Sequence, residues 1–126
     1  MLDGATTHAV LPAMDMERAT RFYTEKVGAQ QRAAVEGATF FSVGDSEFSI
    51  YPTANSNRGG HTQMGLRVPD CRAVVAELRS RGVEFEEYDF PGLKTVDGVA
   101  DIGGGGSAAW FKDSEGNIIG VVQVPI

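Results

Sequence analysis

The feature that most constrains this chain is an internal repeat. Asp15 and Asp70 each follow a short apolar run that reads as a strand, and each opens a run with helical spacing. After Asp15, the residues Met16, Ala19, Phe22, Tyr23 and Val27 keep one helical face apolar as far as Gly28. After Asp70, the residues Cys71, Val74, Val75 and Leu78 do the same as far as Gly82. Aspartate suits both starts, because its carboxylate accepts the free amide hydrogens of a first turn and its charge favours the positive end of the helix. Glycine suits both stops, because it takes the left-handed conformation that closes a helix. His8 lies seven residues before Asp15, and Gln63 lies seven before Asp70.

Strand signals complete the two halves. In the first, His8 to Ala13 precedes the helix, and Gln30 to Glu36, Ala38 to Val43 and Glu47 to Tyr51 follow it, with turns at Gly37 and Gly44-Asp45. In the second, Thr62 to Val68 precedes the helix, and Val83 to Tyr88, Ala108 to Lys112 and Asn117 to Val124 follow, the last after the turn Asp113-Ser114-Glu115-Gly116-Asn117. Each half reads strand, helix, three strands, so the expected class is α+β. One domain over 1–126 is expected, with module 1 at about 6–54, a polar linker at 55–60 and module 2 at about 61–126. Residues 89–107 form an insertion with no counterpart in the first half, either a lid over a site or a disordered loop. Its glycines, Gly103 to Gly106, lack the Lys-Ser/Thr sequel and the strand-turn-helix setting of a phosphate loop.

Composition narrows the partners. A net charge of −6 repels phosphate backbones, which argues against nucleic acid. The single cysteine, Cys71, excludes an intrachain disulfide and a cysteine-built zinc site; at a helix start its thiol is either packing or, less simply, reactive. The opening residues Met1 to His8 have neither a basic segment nor an apolar run, and nothing later approaches the ~20 apolar residues of a membrane span. A cytoplasmic protein that does not engage a membrane is expected.

The tandem arrangement, with His8, the run 15–23, Gly28 and the closing stretch from Trp110 through Asn117 to Ile119, resembles the vicinal oxygen chelate superfamily. That group contains glyoxalase I, bleomycin-resistance proteins and extradiol dioxygenases. The resemblance implies two βαβββ modules with curved mixed sheets forming a cup, and it implies a homodimer. It also implies a four-ligand divalent metal site in the enzymes, one donor from the first and one from the last strand of each module. On this chain those positions hold His8, Gln63, Ser49 (or Ile50, depending on the alignment) and Gly120.

An imidazole and an amide leave a dication without charge compensation and short of ligands, so no metal is expected; if one binds, His8 and Gln63 hold it. His61 and Glu47 share strand parity with Gln63 and Ser49 but lie a rung away, roughly 6–7 Å along the strand. The reading is therefore a small-molecule binder without a cofactor, holding an organic ligand in an aromatic-lined cup by His8, Phe41, Ser49, Gln63 and Trp110. The acid run Glu84, Glu86, Glu87 and Asp89 reads as solvated edge or as attraction for a cationic ligand. The alternative is a glyoxalase-like metal-dependent lyase, isomerase or dioxygenase using His8 and Gln63. A third reading, acid/base chemistry by His8 with Asp89 or Asp101, stays open at this stage. Whether the chain is an enzyme, and which molecule it takes, the sequence leaves undecided.

Overall fold

A computed structural model describes residues 1–54 and 60–124; the greater part of the expected linker, 55–59, lies outside the described residues. The element order begins β1 (Ala9–Ala13), α1 (Met16–Arg21), β2 (Gln30–Val35), β3 (Ala38–Val43) and β4 (Ser46–Pro52). It continues β5 (Thr62–Arg67), α2 (Cys71–Ser80), β6 (Asp89–Phe90), β7 (Leu93–Lys94), β8 (Val99–Gly103), β9 (Gly106–Lys112) and β10 (Ile118–Gln123). Two four-stranded sheets have the matching orders β1-β4-β3-β2 and β5-β10-β9-β8, and β6 and β7 form a small hairpin. In each sheet the outer strand before the helix pairs parallel with the last strand, and the remaining pairs are antiparallel. The sheets are curved and do not close, as tandem βαβββ modules require.

Both expected caps form. Asp15 Oδ1 accepts from the Arg18 amide at 3.0 Å, and Asp70 Oδ1 accepts from the Ala73 amide at 3.1 Å. The first helix does not stay α-helical to Gly28: after Arg21 it continues as a π-helix over Phe22–Val27. The Thr24 hydroxyl donates to the Thr20 carbonyl at 2.9 Å, a local bond that competes with the regular ladder. Pro12 is tolerated because β1 is a sheet edge, and its carbonyl accepts from Asn117 Nδ2 at 3.0 Å. One core cluster spans both halves, with Leu11, Tyr23, Phe41, Phe48 and Ile50 from the first joined to Cys71, Val75, Phe111, Ile119 and Val121 from the second. Phe22 meets Phe111 at 6.2 Å between ring centroids and carries the aromatic packing across the join.

The second half departs from expectation in one place. Val83 to Tyr88 is not a strand: it makes an isolated bridge, Phe85 with Phe111, and the Glu86 amide donates to the Trp110 carbonyl at 2.8 Å. The outer position of the sheet is taken by β8, from within the supposed insertion, so 89–107 is neither a plain lid nor a disordered loop. The physical reason lies in Glu87. Its parity with Val83 and Phe85 would turn a carboxylate toward the core, whereas Val99 and Ala100 of β8 bury small apolar groups beside Ala108 and Ala109. The glycine run turns the chain from β8 into β9, with Gly103, Gly104 and Gly105 all at positive φ. Among the described residues no helix is long and apolar enough to cross a membrane.

Candidate functional site

Strand register defines which residues correspond between modules. Ser49 pairs with Val10 on one side and Phe40 on the other; Gly120 pairs with Gly65 on one side and Trp110 on the other. Ser49 and Gly120 are thus the closing-strand equivalents, and Phe40 corresponds to Trp110. Ile50, the alternative to Ser49, belongs to the core with Leu11. A Cβ built on Gly120 would lie 3.4 Å from Thr62 Cγ2 and 3.5 Å from Trp110 Nε1. The indole edge thus borders the space in front of residue 120 at ordinary contact distance.

His8 is exposed, immediately before β1, with its ring 5.9 Å from that of Phe40. It shares a cleft of about 360 Å³ with Gln63 and Glu47. Gln63 is the extra residue of a bulge, since Ile118 pairs with Thr62 and Ile119 with Met64. The four positions that the resemblance assigns to metal ligands supply an imidazole, an amide, a buried hydroxyl and no side chain at all. That donor set does not fit a divalent ion, which wants anionic oxygen or a closed nitrogen and sulfur shell. Among the described residues no group of three or more His, Cys, Asp or Glu side chains converges as a metal site.

The aromatic residues separate into two populations. Phe41, expected in the cup wall, is fully buried on the α1 side of its sheet and stacks on Phe48 at 5.2 Å; it is a core residue. Trp110 instead faces a cleft of about 280 Å³ together with His61, Tyr88, Phe90 and Leu93, away from His8 and Gln63. Trp110 meets Tyr88 edge-on at 5.5 Å, and Tyr88 stacks with Phe90 at 5.6 Å and 24°. Phe90 is 56% exposed at the hairpin, which leaves a ring face open to solvent. Burial, and secondarily Glu86, raises the Tyr88 hydroxyl pKa, so that group remains a hydrogen-bond donor at neutral pH.

Tyr88, Phe90 and Leu93 were missed as site residues. The available signal was Phe90-Pro91-Gly92-Leu93, a Pro-Gly turn between apolar residues that announces a hairpin. The hairpin is tied down by Glu87, whose carboxylate accepts from the Gly98 amide at 3.0 Å and from the Thr95 hydroxyl. These bonds, the Thr95 one first, hold the Glu87 pKa below the ordinary carboxylate value. Asp89 and Asp101 are both exposed, and neither lines the His8 cleft. Asp101 pairs with Arg72 at 3.5 Å. Burial pushes the Cys71 thiol pKa up, and its Sγ contacts the Val121 carbonyl at 3.6 Å, as a packing residue would.

The turn at 113–117 clamps the two halves. The Tyr23 hydroxyl donates to Asp113 Oδ2 at 2.6 Å, while Asp113 Oδ1 accepts from the amides of Glu115 and Asn117 at 2.8 and 2.9 Å. Glu115 accepts from the amides of Met14 and Asp15 and pairs with Arg18 at 2.7 Å. Its side chain is 1% exposed, and although burial opposes ionisation, the Arg18 and backbone hydrogen bonds prevail and lower its pKa to about 2. The motif that carried the resemblance is thus structural in this chain.

Comparisons with known proteins agree with this architecture. None of the curated proteins matches the chain by sequence. The bleomycin resistance determinant encoded on the transposon TN5 superposes with a TM-score of 0.73 at 19% identity, covering 96% of this chain and 98% of that one. A fosfomycin resistance protein from Listeria monocytogenes gives 0.71 at 14% identity, covering 97% and 94%. Lactoylglutathione lyase from Agrobacterium tumefaciens gives 0.67 at 16%, covering 94% and 92%. At these identities the likeness is one of fold. The sequence profile of the glyoxalase/bleomycin resistance protein/dioxygenase superfamily, however, matches residues 6–121, nearly the whole chain, and the protein belongs to that superfamily.

Proposed function

We propose that the protein binds a small organic molecule with a planar part, without a metal, at the cleft walled by Trp110, Tyr88 and Phe90. The observation that carries this reading is the position of the Trp110 indole. It borders the space in front of Gly120, the position to which the resemblance assigns a closing carboxylate, and the same residue presents its ring system to the cleft. Aromatic faces bind planar ligands through dispersion and quadrupole contacts, and a polar group such as His61 orients them. One fold relative is a bleomycin resistance determinant, which accords with small-molecule binding as a use of this scaffold. We further propose that the chain works as a cytoplasmic homodimer. The unclosed sheets leave edges that need covering, and Val10, Val35 and Tyr51 are exposed on the first sheet.

The test is titration with a planar cation such as proflavine, read by dialysis. Saturable one-to-one binding is expected, weakened roughly two- to tenfold in Trp110→Ala, the size of one aromatic contact. Binding that falls in His8→Ala and not in Trp110→Ala would sink the assignment to this cleft. Light scattering at the mass of one 13.4 kDa chain would remove the dimer.

A metal-dependent enzyme remains the second reading on one observation: Glu47 lines the same cleft as His8 and Gln63, which places a carboxylate near the two donors. Calorimetric titration of Zn²⁺, Ni²⁺, Fe²⁺ and Mn²⁺ into chelator-treated protein separates the two. Submicromolar one-to-one binding lost in His8→Ala favours the enzyme.

A further inference from the structure

The first sheet carries a polar row on the face turned away from α1. Gln30 pairs with Ser42, and Ser42 with Glu47. Paired residues on neighbouring strands project to the same side, opposite the side that buries Phe41 and Phe48. The pairing of Ala9 with Phe48 carries this row on to His8. Arg32 joins it by a different device. The register of β2 against β3 slips between Gln31 and Ala33, which leaves Arg32 as the extra residue of a bulge. Its Nη1 lies 3.5 Å from Gln30 Oε1. His8, Gln30, Arg32, Ser42 and Glu47, together with Asp45, wall one open cleft of about 540 Å³.

The charges in this cleft select a ligand. Among the described residues neither Arg32 nor Glu47 enters an ion pair. A simple anion drawn to Arg32 would be repelled by Glu47 and Asp45, and a simple cation would meet the converse. A molecule bearing both charges a few bonds apart satisfies both. The planar guanidinium takes a carboxylate through paired N–H groups, and a carboxylate accepts from an ammonium. Neighbouring strands lie ~4.8 Å apart, so Arg32 on β2 and Glu47 on β4 approach from about 10 Å, a gap that two long side chains close around a small headgroup. We propose that this face of module 1 is a binding site for the zwitterionic headgroup of a free α-amino acid, separate from the aromatic cleft and independent of it.

Glycine is the minimal probe, with acetate and methylammonium as its two halves. In amide-shift titrations of the full chain, glycine is expected to give saturating shifts at Gln30, Arg32, Ser42 and Glu47, at an affinity at least about tenfold above either half. Both charged side chains are exposed, so their neutral variants keep the fold. Arg32→Gln should weaken glycine and acetate but spare methylammonium, and Glu47→Gln should weaken glycine and methylammonium but spare acetate. A shallow response common to all three probes overturns the proposal, as do glycine shifts that persist unchanged in both variants.

Discussion

The two modules share strand order and most of the closing-strand register yet present different surfaces. On the outward face of the first sheet the row through Glu47, Ser42 and Gln30 is polar, and the next row holds Val10, Ser49 and Phe40. At the matching positions of the second sheet stand Ile118 and Lys112, then Gly65, Gly120 and Trp110. The scaffold is preserved because buried positions such as Leu11, Ile50, Ile119 and Val121 satisfy the same pattern in both halves. The faces that do not enter the core are free to diverge, and ligand chemistry lives there. The clamp shows the same asymmetry. In the module 2 turn Asp113, Glu115 and Asn117 are buried and bonded to the first half, while the module 1 turn at Gly44-Asp45 is exposed.

The largest effect should come from breaking that asymmetry at its strong end. Asp113→Ala leaves the Tyr23 hydroxyl and the Asn117 amide without their acceptor, and a loss of roughly 3–5 kcal/mol is expected in urea unfolding. Asp45→Ala, in the corresponding exposed turn, should stay within about 0.5 kcal/mol of the parent. Comparable losses in the two variants would mean that the clamp is not one-sided.

Acid should open the same join. Glu115 has a pKa of about 2 in the folded chain against an ordinary 4.5, so its stabilisation is complete above about 4.5. As the pH falls from there through about 2, the carboxylate protonates and the contribution disappears. Unfolding midpoints measured across this window should fall steeply, and Glu115→Gln should flatten the fall; equal slopes would detach the acid response from the clamp.

A smaller effect sharpens the contrast between Ser49 and Gly120. Gly120→Glu places a carboxylate at a buried position beside Trp110 and Thr62 and should cost roughly 1–3 kcal/mol. Adding Trp110→Ala should recover most of that cost. No recovery would show that the cost does not depend on the indole.

Much of the fold was legible. The aspartate caps, the helical apolar stripes and the glycine stops are local signals, and they located both helices and the first-half strands to within a residue or two. Local patterning failed at Val83 to Tyr88, because alternation there was sound but the sheet position went to Val99 and Ala100, a competition decided between distant segments. The site was less legible for the same reason. His8 and Gln63 line one cleft, whereas Phe41 turned inward and Trp110 found its companions in the hairpin.

By itself, the sequence determined what depends on neighbours along the chain: caps, periodicity, turn residues and the repeat. Only the tertiary structure decided which aromatic ring lies beside Gly120, which bulge brings Arg32 to a polar face, and how a turn from one module clamps the other. Those outcomes depend on register and on packing between segments far apart in sequence, where a shift of one residue sends every side chain to the opposite face.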